Sequence, residues 1–241
     1  MSTYSINTAR QWLKTSPSPV AQYGLRLVRS LRLFELPAPR LLYGPLYTLH
    51  RLANGLLSGL ARVVYWTPLF KSRCIDSGKQ LYLYGGMPYL SGPLHIHYGD
   101  RCRISGQTTF SGRAASRQTP QLVLGNNIDI GWMSTIAVAG KVSIGNNVRI
   151  AGRAFIAGYP GHPLDAAERA ASLPDHDSQT GDIIIEDDVW IATGVTILPN
   201  VRIGKRSIIA AGSIVSRDIP ADVIAAGSPA KVIKSLQISE D

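Results

Sequence analysis

The side chains best suited to chemistry in this chain are its histidines, and one of them stands in an odd place. His162 opens the stretch GHPLDAAERAASL (161–173), between two tracts in which an aliphatic residue recurs every sixth position. An imidazole titrates near neutrality, so it can take a proton from an attacking hydroxyl and pass it on afterwards. A lone GHP is equally what a solvated loop histidine looks like, and the residue by itself leaves both readings open. His95 and His97 form an HxH pair in PLHIHYG. On a strand both would point the same way, a spacing that can ligate zinc. Such a site needs a third histidine, and neither His162 nor His176 has the expected spacing, so no metal is expected. His176, in LPDHDSQ, reads as a solvated loop residue, and His50 adds nothing. Cys74 and Cys102 are too far apart for a zinc motif or a disulfide framework, which points to a reducing compartment.

The elements that must position His162 are given by the repeat. Stepping by six from Ile185 lands on Ile191, Ile197, Ile203, Ile209 and Val215. Leu124, Ile130 and Ile136 form an earlier series, Ile144, Ile150 and Ile156 another, and Tyr98, Ile104 and Phe110 a fainter one. A period of six is neither helical nor a simple strand alternation. It fits a parallel β-helix of triangular section, in which six residues make one face and three hexads one coil. One coil has no core of its own, but stacked coils share one. About five coils are expected from residue 98 to residue 216, with Gly-Asn turns at 125–127 and 145–147. The rhythm breaks at 113–121, slips by two residues between Ile136 and Ile144, and breaks widely at 158–182. A loop that long in a compact repeat is a functional candidate, and LDAAERAASL within it suits a helical turn.

The net charge of +9 is unevenly spread. Residues 1–75 hold ten Lys/Arg and one acid, Glu35, whereas residues 76–241 hold fifteen of each sign. Domain borders are therefore expected at 1–75 for a basic, helical appendage, 76–236 for the β-helix and 237–241 for a tail. Residues 20–34 suit a basic amphipathic helix, and 46–66 a second one, with Pro37, Pro39 and Pro45 breaking the chain between them. The appendage suits a membrane surface or membrane complex, a docking partner or an oligomer cap. Nucleic acid is the weakest reading, because no reader motif accompanies the charge. The start lacks the apolar core of a secretory signal, and residues 55–70 are too short and interrupted to span a bilayer comfortably. The expected location is the cytoplasm, with peripheral contact at the inner face of the cytoplasmic membrane.

Three stretches together carry a resemblance: IGNNVRIAGRAFIAGYPGHPLDAAERA (144–170), IEDDVWIATGVTILPNVRIG (185–204) and IIAAGSIVSRDIPADVIAAGSPAKVIK (208–234). In that order they resemble the hexapeptide-repeat acyltransferases, nearest to the galactoside, maltose and nodulation-factor O-acetyltransferases and polysaccharide-associated relatives. The resemblance implies a left-handed β-helix, a trimer, acyl-CoA bound between neighbouring prisms, and direct transfer without metal or covalent enzyme intermediate. It makes His162 the catalytic base. It places Trp190 and Thr193 beside the cofactor arm, Ala211 and Ser216 along the pantetheine, and Lys231 and Lys234 near the nucleotide phosphates. The family's acceptor-facing asparagine has no match in IDIGWMSTI (128–136), where Asp129 and Trp132 are the candidate substitutes. The N-terminal 75 residues also differ from the short helical cap of the maltose-type enzymes.

The expectation is an acetyl-CoA-dependent O-acetyltransferase acting on a sugar hydroxyl of a bacterial surface glycan or its precursor. An N-acyltransferase for an amino-sugar nucleotide and a non-catalytic β-helix scaffold are the alternatives.

Overall fold

The computed structural model describes residues 3–236, so the expected tail at 237–241 lies outside the described residues. Packing divides the chain into two compact units, Met1–Ala53 and Asn54–Asp241.

The first unit is helical. It holds α1 (Thr3–Thr15), α2 (Pro19–Arg32) and the larger part of α3 (Arg40–Ala61). Pro19 starts α2, where a missing N–H costs nothing. Two expectations need correction. No helix was foreseen over α1, whose sequence lacks a clean apolar stripe. Pro45 does not break the chain but lies inside α3, where its ring deprives only the Leu41 carbonyl of a helical donor. Pro37 and Pro39 do fall in the helix-free stretch between α2 and α3.

The second unit is a left-handed parallel β-helix with three sheets. Five coils run from β4 to β18, the range in which about five were expected, and one further coil precedes them from Asp76. Face A stacks β1 (Asp76–Ser77), β4 (His95–Tyr98), β7 (Gln121–Leu124), β10 (Lys141–Ile144), β13 (Ile183–Ile185) and β16 (Arg202–Ile203). Face B stacks β2 (Tyr82–Tyr84), β5 (Arg103–Ser105), β8 (Asp129–Ile130), β11 (Arg149–Ile150), β14 (Trp190–Ile191) and β17 (Ile208–Ile209). Face C stacks β3 (Tyr89–Ser91), β6 (Thr109–Gly112), β9 (Thr135–Val138), β12 (Phe155–Ala157), β15 (Thr196–Ile197) and β18 (Ile214–Val215). Beyond β17, face B continues into a hairpin of β19 (Val223–Gly227) and β20 (Ala230–Ser235).

The hexad aliphatics Ile185, Ile191, Ile197, Ile203, Ile209 and Val215 are all buried in one continuous core. Each such burial stabilises by about 1.5–3 kcal/mol, and a register slip would turn the whole set outward. The corners need left-handed backbone. Asn127 and Asn147 supply it at φ 54° and 58°, as the Gly-Asn turns predict, and their side chains continue as a ladder through Asn147 to Asp188 at 2.9 Å.

The open end of the prism is plugged. After α3 a single π-turn (Arg62–Trp66) leads into α4 (Thr67–Lys71), whose Phe70 is fully buried against Tyr98 and Phe110 at 6.0 and 6.4 Å. The border at residue 75 thus marks where helix gives way to strand, while residues 54–75 pack with the β-helix.

Candidate active site

The loop bearing His162 leaves the prism at the corner between faces C and A, running from β12 to β13. The shorter 113–121 insertion leaves at the same corner, from β6 to β7. One intact coil lies between them, so the two insertions meet. Arg113 of the short one reaches into the long one. Its Nε donates to Asp175 Oδ1 at 2.6 Å, its Nη1 to Asp177 Oδ1 at 2.7 Å, and its Nη2 to the Asp175 carbonyl. Burial opposes the Arg113 charge, but these bonds outweigh it and hold its pKa above the ordinary value. Bonding to Arg113 likewise holds the Asp177 carboxyl below the usual range.

Asp175 has a second task. Its Oδ2 accepts from the Gly161 N–H at 3.0 Å, one residue before His162. From the other side, Gln179 Nε2 donates to the His162 carbonyl at 3.2 Å. The backbone of His162 is therefore held on both flanks, while the residue is exposed and its ring makes no hydrogen bond among the described residues. Beyond it, α5 (Ala166–Ala170) is the foreseen helical turn, capped by the Asp165 side chain, which accepts from the Glu168 N–H at 2.9 Å. His176 is not merely solvated: its Nε2 lies 2.6 Å from Glu168 Oε2 and ties α5 to the loop's return. At the loop base, Phe155, Ala157, Tyr159, Leu164, Gln179 and Leu198 line an apolar cavity of about 420 Å³. Tyr159 is fixed by a 3.0 Å bond from its hydroxyl to Ser111 Oγ.

The other candidates lie elsewhere on the prism. Trp190 is half exposed on face B, in register between Arg149 and Ile208. Thr193 and Ala211 are exposed at the corner between faces B and C, on adjacent coils. The Thr193 carbonyl accepts from the Gly212 N–H at 2.9 Å, and among the described residues its exposed hydroxyl has no hydrogen-bond partner. Beside them Gly194 and Gly212 adopt φ of 70° and 69°, with open space where a side chain would stand. Trp132 shares this corner, and the Arg153 guanidinium lies 5.1 Å from its ring centroid. Ser216 is exposed just after β18 on face C. Lys231 and Lys234 are exposed on β20, the latter in register with Ile224. Asp129 on face B is already engaged, with Arg103 Nη1 at 2.9 Å.

One chain thus brings together Trp132, Thr193 and Ala211 along one corner, and places His162 at another. His97 Nδ1 lies 2.7 Å from Asp76 Oδ2, and His95 is exposed. Among the described residues no group of three or more His, Cys, Asp or Glu could hold a metal. Neither thiol is poised as a nucleophile. Burial pushes Cys74 up to about 12 and raises Cys102, which is fully buried.

Sequence reasoning missed Arg113, Asp175 and Gln179. Both insertions were visible, and assigning them to the same corner would have set the arginines of RAASR against the acids of DHD.

Residues 182–217 match the family model for the bacterial transferase hexapeptide (six repeats). The galactoside O-acetyltransferase of Escherichia coli is 38% identical over 113 residues, 47% of this chain and 53% of that one. A 2,3,4,5-tetrahydropyridine-2,6-dicarboxylate N-acetyltransferase of Clostridium perfringens is 58% identical over 53 residues, 22% of each chain. The chain spans about half the length, or less, of the curated relatives it matches. Among solved structures, the N-acyltransferase AntD of Bacillus cereus, in complex with dTDP-4-amino-4,6-dideoxyglucose and coenzyme A, superimposes with a TM-score of 0.56. That likeness covers 71% of this chain and 89% of AntD at 20% identity, and concerns the fold. The chain folds as a left-handed β-helix on a six-residue repeat, residues 182–217 match the hexapeptide transferase model, and the relatives named here are acetyltransferases.

Proposed function

We propose that this chain is an acetyl-CoA-dependent O-acetyltransferase that acts on a sugar hydroxyl of a bacterial surface glycan or its precursor. The observation that carries the reading is the two-sided anchoring of His162: a buried ion pair fixes Gly161, Gln179 fixes the His162 carbonyl, and the imidazole is left free. A loop built only to connect β12 and β13 needs no such anchor. The 38% identity to a galactoside O-acetyltransferase supports oxygen as the nucleophile.

In this reading His162 takes the proton of the acceptor hydroxyl as its oxygen attacks the thioester carbonyl. The tetrahedral intermediate collapses, the carbon–sulfur bond breaks, and the imidazolium returns the proton to the departing thiolate. The raised thiols, of which Cys102 is also fully buried, support direct transfer over a cysteine-bound acyl group. The free Thr193 hydroxyl is suited to the developing oxyanion. Trp190, Ala211 and Ser216 are assigned to the cofactor arm, Lys231 and Lys234 to its phosphates. Trp132 is the better acceptor contact, because Asp129 is held by Arg103. His162 and the Thr193 corner lie at different edges of one prism, which supports a homotrimer whose sites are completed between copies. A cytoplasmic place fits a CoA-dependent enzyme, and no described helix is long and apolar enough to cross a membrane.

The test compares matched hydroxyl- and amino-bearing sugars with acetyl-CoA. The proposal expects esters from the hydroxyl series. Amides alone would favour the N-acyl reading, and an absence of CoA-dependent thermal stabilisation would favour a scaffold.

A further inference from the structure

The helical unit, taken by itself, displays a surface that water does not favour. Along α2, Val20, Tyr23, Leu27 and Leu31 follow one another at helical-turn spacing, so they form one stripe, and each is half to three-quarters exposed. Arg26, Arg29 and Arg32 leave the opposite side of the same helix. On α3, Leu42, Leu46 and Leu49 repeat the pattern and are also exposed. Between α1 and α2, Arg10, Lys14, Arg29 and Arg32 share a cavity of about 620 Å³ with Leu13 and Val28. Among the described residues, none of these four cations pairs with a carboxylate. Glu35 is the only acid in the first 75 residues.

We propose that this unit binds the surface of an anionic lipid bilayer, with the α2 stripe seated among the acyl chains and the arginines reaching the phosphates. The charge decides between occupants. With ten Lys/Arg and one acid in the first 75 residues, two such units repel through their net charge, whereas an anionic headgroup layer attracts the unit as a whole. The apolar stripe explains contact rather than mere attraction, because cations alone would be satisfied by water and counterions. No helix here is long and apolar enough to span, so the attachment is peripheral. It does not depend on the reaction assigned to the β-helix.

The full chain is floated with phosphatidylcholine vesicles, with and without phosphatidylglycerol, at low and high salt. Each cation near the surface is worth about fivefold in partitioning, so Arg26→Gln/Arg29→Gln/Arg32→Gln should weaken anionic binding by roughly 100-fold. High salt should weaken it as well. Leu27→Ser/Leu31→Ser keeps every charge and should also release the protein. Circular dichroism confirms that each variant remains helical. Equal flotation with neutral vesicles, no flotation, or binding that survives both variants would overturn the proposal. Salt-independent self-association instead of flotation would assign the stripe to a second copy and overturn it too.

Discussion

Replacing Arg113 by methionine tests how the β-helix holds its non-repeating loop. The Arg113 and Asp175 side chains are 6% and 4% exposed. Removing one partner of a buried pair costs about 3–5 kcal/mol if the other charge stays buried. Asp175 would keep only the Gly161 N–H at 3.0 Å. The chain has a cheaper response, which is to lift residues 158–182 and return the carboxylate to water, so the cost is capped by the free energy of opening the loop. The hexad core does not depend on this pair, and global melting should move little. A penalty of about 3 kcal/mol shifts the loop's closed-to-open ratio by about 100-fold, so the fraction of molecules with His162 correctly placed falls by up to that factor. Turnover should fall by a similar factor. Trypsin reports the opening directly, because Arg169 lies within the loop and becomes a cleavable site. Arg113→Met/Asp175→Asn retains an acceptor for Gly161 without the stranded charge, so it should recover much of the loss. The reasoning is refuted if Arg113→Met shows wild-type proteolysis and turnover, or if the double variant is worse than the single one.

Three further outcomes are expected. In the proposed trimer each site draws its halves from two copies, so mixing His162→Ala with Thr193→Trp should restore activity at about a quarter of the sites; inactivity of the mixture would place the site within one chain. Cys74 and Cys102 should resist a thiol reagent at pH 8 until the chain is denatured, because burial raises both thiols, Cys74 to about 12; labelling of the folded chain would contradict this. Glu186 is held low by the Lys205 N–H and Arg202, and Asp222 by Arg206. Such carboxylates stabilise fully above their unfolded pKa of about 4, and that share is lost as pH falls through their lower folded values. The urea midpoint should therefore fall below pH 4, and less steeply in Glu186→Gln; an unchanged slope would remove Glu186 from the account.

The late coils were legible because their period is strict: Trp190 and Ile208 pair across one unbroken coil, and every hexad aliphatic after Ile185 is buried. The first coil was not: its face A strand, Asp76–Ser77, is exposed and carries no inward aliphatic, and its inward Leu83 stands seven residues before Leu90 rather than six. The same contrast holds at the site. His162 stood out as a break in a rhythm, and the sequence placed a helical turn after it. Its anchor was hidden because Arg113 and Asp175 are far apart in sequence, and only the corner at which each insertion leaves the prism brings them together. In α3, propensity alone misjudged Pro45, which lies inside the helix at the cost of the donor to the Leu41 carbonyl.

The most direct test of the central claim separates binding from chemistry in His162→Ala. CoA affinity is measured by calorimetry and acetyl transfer to the best hydroxyl acceptor by single turnover. A general base contributes about 10²–10⁴ to the rate, so transfer should fall at least about 100-fold while CoA binding stays within about twofold of wild type. Transfer at the wild-type rate, or a wild-type chain that binds no CoA, would contradict the account.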